Sequence, residues 1–243
     1  MKKLYERYHS DRKSQRRIIG ENDFTYRSMI YFIRKYVHLK DKVLDIGCGV
    51  GTIDFYLAKR GCNIVGVDIS RQAILAAMKD SKNFKLNQHI KFIVKDFTKV
   101  VINEKFNVVI CSEVLEHLKQ DKLAVEKIID LLIKGGVVIA SSPSKRAPLY
   151  KIGVLNKFDL KVGHVRRYTE ASFKKLFERA GFKVLEVNKT EGVFRNFLFV
   201  SSVGGILLRV LNKWPVSEVV TFLDNMTVPF FGESNIYLVA EKK

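Results

Sequence analysis

The sequence predicts an α/β protein with a doubly wound, mostly parallel sheet covered by helices on both faces. Three observations point there. Short apolar runs alternate with helical stretches, Val and Ile fill those runs instead of alternating with polar residues, and a glycine-rich turn follows the first run directly. Continuous apolar runs are what parallel strands need when both sheet faces are covered.

The predicted strands are KVLDIG (42–47), NIVGVD (63–68), IKFIVKD (90–96), FNVVICS (106–112), GVVIASS (136–142), KVLEVN (183–188) and NIYLVAEKK (235–243). Between them, TIDFYLAKRG follows Gly51 and stops at Gly61. SRQAILAAMKD opens on Ser70, a good N-cap. Residues 122–133 form an amphipathic helix closed by Gly135 and Gly136. Thr169 opens TEASFKKLFERAGF, whose Phe173, Leu176, Phe177 and Ala180 share one face and whose end is Gly181. The domain reading is an N-terminal helical cap (1–41), a core (42–190) containing a lid (143–168), an apolar insertion (191–234), and a final core strand (235–243).

At 243 residues, 47% of them hydrophobic, the chain is long enough for one well-buried core. Cys48, Cys62 and Cys111 stand far apart without a CxxC pair, so neither a disulfide framework nor a metal site is expected. The basic start MKKLYERYHSDRKSQRR is followed by no apolar run of signal-peptide type, so the expected setting is the cytoplasm.

The formal charge of +18 is uneven. Residues 1–42 carry 12 basic against 5 acidic groups and residues 143–183 carry 11 against 3. Such a field favours anionic ligands, nucleic acid or anionic lipid headgroups without choosing among them. In FRNFLFVSSVGGILLRVLNKW, an uncharged stretch lies between Arg195 and Arg209, with Lys213 and Trp214 beyond. It falls short of the roughly 20 residues that span a bilayer. It fits either a pocket or subunit wall, or a helix resting at the inner membrane face.

The chemistry centres on Asp45-Ile-Gly47-Cys48-Gly49-Val-Gly51. Glycines after a strand and before a helix let backbone approach a ligand closely. Thr52 stands where a dinucleotide fingerprint wants its third glycine, and an acid precedes Gly47 by two residues. That pattern suits a nucleoside bearing a cationic sulfonium and an amino-acid tail better than a pyrophosphate. Asp68, at the end of the second strand and followed by Ile69, is placed to accept from ribose hydroxyls. Asp96, read as the end of the third strand, can accept from an adenine amino group, with Phe97 offering ring or backbone contact. For each acid the plain alternative is a helix N-cap.

VLDIGCGVG, VDIS, KDF, FNVVICSEVLEHL and LLIKGGVVIAS resemble the successive motifs of class I S-adenosylmethionine (SAM)-dependent methyltransferases. EVLEHL and GHVRRYTEASFKKLFERAGF resemble, more narrowly, the group that includes the ubiquinone-biosynthesis methyltransferases. The resemblance spans about 42–188. It implies a seven-stranded Rossmann-like sheet, SAM as cofactor, and contacts at Asp45, Gly47, Cys48, Gly49, Gly51, Asp68, Ile69, Asp96, Phe97 and Ser112.

Methyl transfer is an in-line displacement, so alignment and desolvation can carry it without a dedicated base. For a hydroxyl acceptor, His117, His164 and Glu113 are the candidate bases. Each histidine has a structural reading beside the catalytic one. Arg166, Arg167 and Tyr168 either hold an anionic group of the substrate or anchor the start of the following helix. The expected activity is methylation of a small or lipid-linked acceptor, anionic in part, at oxygen. The alternatives are an RNA or other macromolecular methyltransferase, and a non-catalytic SAM-binding protein that docks on membranes.

Overall fold

The computed structural model describes residues 17–200 and 215–243. In chain order the elements are α1 (Arg27–Tyr36), β1 (Lys42–Ile46), α2 (Thr52–Lys59), β2 (Asn63–Asp68), α3 (Arg71–Asn83), β3 (Ile90–Val94), β4 (Phe106–Ser112), α4 (Asp121–Leu131) and β5 (Leu132–Pro143). There follow α5 (Pro148–Lys151), α6 (Asn156–Val162), α7 (Glu170–Arg179), β6 (Phe182–Thr190), α8 (Val193–Val200), α9 (Val216–Phe231) and β7 (Asn235–Lys242). One sheet runs β3-β2-β1-β4-β5-β7-β6, parallel except for β7, which is antiparallel to both neighbours. This is the mostly parallel, seven-stranded Rossmann-like sheet expected. The order reverses between β1 and β4, which opens a crevice at their carboxyl ends.

Alternating side chains divide the core. Leu44, Val109, Val138 and Leu238 face α4 and α7, where Val125, Ile128, Phe173 and Phe177 are buried. Val43, Val108, Ile139 and Val239 face α1 and α2, with Ile30, Ile33, Phe55 and Leu57. Phe173 and Phe177 are fully buried, and truncating either to Ala would cost about 3 to 5 kcal/mol. The caps read from the sequence form as expected. Ser70 accepts from Ala73 N, and Thr169 and Ser172 make a reciprocal capping box.

Two boundaries differ from the sequence reading. β3 ends at Val94, so Asp96 lies beyond the strand, in a turn where its Oδ1 accepts from Thr98 N and Oγ1 at 3.0 and 2.7 Å. β5 begins at Leu132, taking in the Gly135-Gly136 pair expected to close α4. Gly135 adopts φ +74°, and the register against β4 shifts between Phe106 and Val108, so the glycines form a bulge inside the strand. The lid region carries two short helices, α5 and α6. Residues 1–16 of the N-terminal cap and 201–214 of the apolar insertion lie outside the described residues.

Candidate active site

Gly47, Gly49 and Gly51 all have positive φ, at 74°, 55° and 80°. A Cβ on Gly47 would stand 2.4 Å from Val114 Cγ2, so the turn is closed to side chains by its contact with the segment after β4. Asp68 fixes the turn from the neighbouring strand: Gly49 N donates to Oδ2 at 2.9 Å and Ser70 N to Oδ1 at 2.7 Å. Asp68 and Ile69 are half-buried at the lip of the crevice and Cys48 is half-buried in the turn. Burial, together with Asp54, Asp45 and Asp68, raises the Cys48 thiol well above its usual range.

Asp45 and Asp54, 2% and 0% exposed, meet beneath this turn. Among the described residues no N–H or hydroxyl reaches either oxygen of Asp54; its contact is the carboxyl of Asp45. Two carboxyls can bond only if they share a proton. Burial and mutual repulsion raise Asp45 well above the carboxylate range, and burial raises Asp54 as well. Asp54 stands in the first turn of α2.

On the other side of the crevice, Ser112 Oγ lies 2.9 Å from Ser141 Oγ, and Ser141 donates to Glu113 Oε1 at 3.0 Å. Asn235 Nδ2, at the start of β7, donates to the same oxygen at 3.0 Å. Glu113 holds the left-handed conformation at φ +56°, which is uncommon for a residue with a side chain. It is reached by solvent yet walled by protein, and desolvation raises its carboxyl despite these two donors.

Glu116 is fully buried. Its Oε2 accepts from Ser142 Oγ at 3.0 Å, while Oε1 has no hydrogen-bond partner and lies 3.9 Å from His117 Nε2 and 4.0 Å from His164 Nε2. His117 Nδ1 donates to Gly163 O at 3.1 Å, and His164 Nδ1 lies 2.9 Å from Asp159 Oδ1. Both Nε2 atoms therefore lie on the side of the rings nearest Glu116 Oε1. Three ligand atoms thus lie within 4.8 Å of one another, a group that can hold a divalent ion. The sequence reading expected no metal because it looked to the cysteines; this cluster forms only when the lid folds back on the turn after β4.

A family model described as a methyltransferase domain matches residues 20–187. The chain belongs to that family. Among curated relatives, a ubiquinone biosynthesis O-methyltransferase of Glaesserella parasuis serovar 5 is 31% identical over 118 residues, covering 47% of this chain and 50% of that protein. The chain spans about half the length of the curated relatives it matches. Among solved structures, the N-methyltransferase NodS of Bradyrhizobium japonicum WM9, in complex with S-adenosyl-L-homocysteine (SAH), is 16% identical, covers 99% of this chain and 97% of its own, and superimposes with a TM-score of 0.63. Magnesium protoporphyrin IX methyltransferase of Synechocystis PCC 6803, with bound SAH, is 18% identical over 90% of this chain and 82% of its own, with a TM-score of 0.63. At these identities the structural likeness concerns the fold.

In this methyltransferase domain, several residues take places other than those read from the sequence. Arg167 is buried, grips Asp159 through Nε and Nη2 at 2.7 and 2.6 Å, and reaches Ser144 O. Arg166 pairs with Asp121 and donates to Lys119 O, and Tyr168 donates to Asp121 Oδ2 at 2.7 Å. These contacts are those of the anchoring alternative that the sequence left open beside the substrate-binding one. Phe97 packs into the core, and Lys127 Nζ donates to its carbonyl at 2.6 Å. Burial lowers His117 to about 4, which makes it a weak base.

The sequence reading missed Asp54, Glu116 and Glu191. Glu116 lies within the EVLEHL motif, where its neighbour His117 drew the attention. Asp54 gave no signal, because an acid in a helix's first turn is ordinary. Glu191 follows β6 with φ +67°, is 7% exposed, and is raised by burial to about 7.

Proposed function

We propose that the chain is a SAM-dependent methyltransferase acting at oxygen on a small or lipid-linked acceptor. The observation that carries this is the glycine turn fastened to Asp68 at the β1/β4 crevice. It gives a nucleoside backbone room to approach and a carboxylate at the ribose position. The turn is closed to Cβ atoms on the side of Val114, which leaves the backbone of its glycines as the surface nearest a ligand.

When bound there, SAM supplies a methyl group already activated by a positive sulfur. Asp68, fixed by backbone N–H groups on both oxygens, is the carboxylate that would meet the ribose hydroxyls. Asp96 is the acid that would hold the adenine amino group. The backbone of Gly47, Gly49 and Gly51, with Cys48 and Ile69, would line the path, with the buried Asp45–Asp54 pair beneath the turn. Ser112 and Glu113 mark the acceptor side. Glu113, raised by desolvation yet reachable by solvent, is the group best placed to take the acceptor's hydroxyl proton, with His164 behind it. His117 orients the lid through Gly163.

The 31% identity with an O-methyltransferase supports oxygen as the methylated atom. Basic charge on residues 143–183 supports an acceptor that is anionic in part.

Calorimetric titration with SAM and with SAH, alongside Asp68→Ala, tests the reading. We expect binding by the parent protein and at least a hundredfold loss in the variant, consistent with removing two charge-assisted hydrogen bonds at about 1.5 to 3 kcal/mol each. Folded protein that binds neither ligand would refute it.

A further inference from the structure

Helix α9 is built inside out. Its buried residues are Ser217 and Asp224, on the face turned toward the domain. Asp224 accepts from Gly192 N and Phe194 N, both at 2.8 Å, and so caps α8 from a distant part of the chain. The opposite face follows i, i+3, i+7 and i+11 spacing and is apolar: Val219, Phe222, Met226 and Phe230 are 55%, 67%, 56% and 83% exposed. Helices of water-soluble domains bury the apolar face. A reversed one needs something apolar outside it.

The neighbouring elements extend this surface. Asn196 of α8 accepts from Leu149 N of α5 at 3.0 Å, and Lys151 Nζ donates to Phe231 O at 2.9 Å, so α5, α8 and α9 are tied together. Ile152 and Leu160 on the lid are 69% and 80% exposed. The same lid stretch carries exposed Lys145, Arg146, Lys151, Lys157 and Lys161. Its one acid, Asp159, is taken by Arg167 and His164. No helix among the described residues is long and apolar enough to cross a membrane.

We infer that the outer face of α9, with the exposed side chains of the lid, docks in the plane of an anionic lipid surface. Apolar side chains enter the acyl boundary while lysines meet the headgroups. A second copy of the chain could bury the apolar stripe, but it would carry the same excess of lid lysines, whereas an anionic headgroup layer complements them. Charge complementarity therefore selects the lipid. The inference deepens the proposed reading, since the lid beside this face also carries Asp159, which holds His164. It rests on that reading for its purpose alone.

The test is sedimentation of the full chain with phosphatidylcholine vesicles, with and without phosphatidylglycerol. We expect binding to the anionic vesicles that weakens with salt. Phe222→Ser combined with Phe230→Ser should lower it at least tenfold, and Lys157→Glu combined with Lys161→Glu should remove the preference for phosphatidylglycerol. SAH titration of each variant reports folding and the nucleoside site separately, so failure of the methyl-donor reading and failure of lipid docking are distinguishable. Absence of vesicle binding by folded protein, or equal binding by the Phe variant, overturns the inference. So does light scattering that shows a dimer dissociated by the Phe substitutions without vesicle binding by the parent.

Discussion

Arg167 and Asp159 form a two-pronged ion pair that ties the lid helix α6 to the entrance of α7, with Nε and Nη2 of the arginine at 2.7 and 2.6 Å from the two carboxylate oxygens. Against the opposing effect of burial, Arg167 and His164 pull Asp159 down to about 2. The stability this contributes is present above the ordinary carboxylate value near 4 and is lost as pH falls from there toward 2. Asp159→Asn should therefore destabilise the protein at pH 7 and flatten the acid limb of its stability curve. Because it leaves a buried guanidinium unpaired, the cost should be about 3 kcal/mol. Thermal melts from pH 7 to pH 3 would show it.

The Asp45–Asp54 pair has the opposite sign. Both carboxyls are raised in the folded state, Asp54 to about 8, so the fold retains a proton that the unfolded chain releases. Stability should fall as pH rises from about 4 to about 8. Asp54→Asn can donate its amide to Asp45 and should remove most of that decline. The variant is expected to gain stability relative to the parent above pH 8, read from denaturant midpoints at matched ionic strength.

Gly47→Ala joins two faults, a strained φ of +74° and a Cβ 2.4 Å from Val114 Cγ2. The conformational part should cost about 1 kcal/mol. The clash should also displace the segment that carries Glu113. We expect SAH affinity to fall at least tenfold, with Val114→Ala restoring part of the loss in the double variant. A double-mutant cycle by calorimetry would measure the coupling.

Asp224→Ala removes the carboxylate that caps α8 from α9. A lost N-cap costs about 1 to 2 kcal/mol. Here the loss should appear as faster amide exchange in residues 193–198, while strands β1, β4 and β5 keep their protection. Exchange rising across the whole sheet would mean that the insertion is part of the core.

Much of the sheet could be read from the chain because its signals are local. Unbroken Val and Ile runs mark β1, β2 and β4, Ser70 and Thr169 announce their helices, and Asp68 declares its place by ending a strand. Asp96 and the Gly135-Gly136 pair were misplaced by a few residues, since an apolar run does not say where pairing stops. The substrate side was far less legible. Arg166 and Arg167 look alike in sequence whether they hold a ligand or Asp121 and Asp159, because the partner lies elsewhere in the chain.

By itself the sequence determined the α/β class, the alternation that places the glycine turn at a strand end, and the acids at Asp45 and Asp68. These rest on periodicity, capping and backbone freedom, which act over a few residues. Only the tertiary structure decided that Asp45 meets Asp54 in a buried carboxyl pair, that Glu116 meets His117 and His164, that Asp121 and Asp159 are the partners of the lid arginines, and that α9 turns its apolar face outward. Each of these depends on which distant group lies within a few ångströms once solvent is excluded. That proximity sets hydrogen bonding, charge and exposure, and no local pattern encodes it.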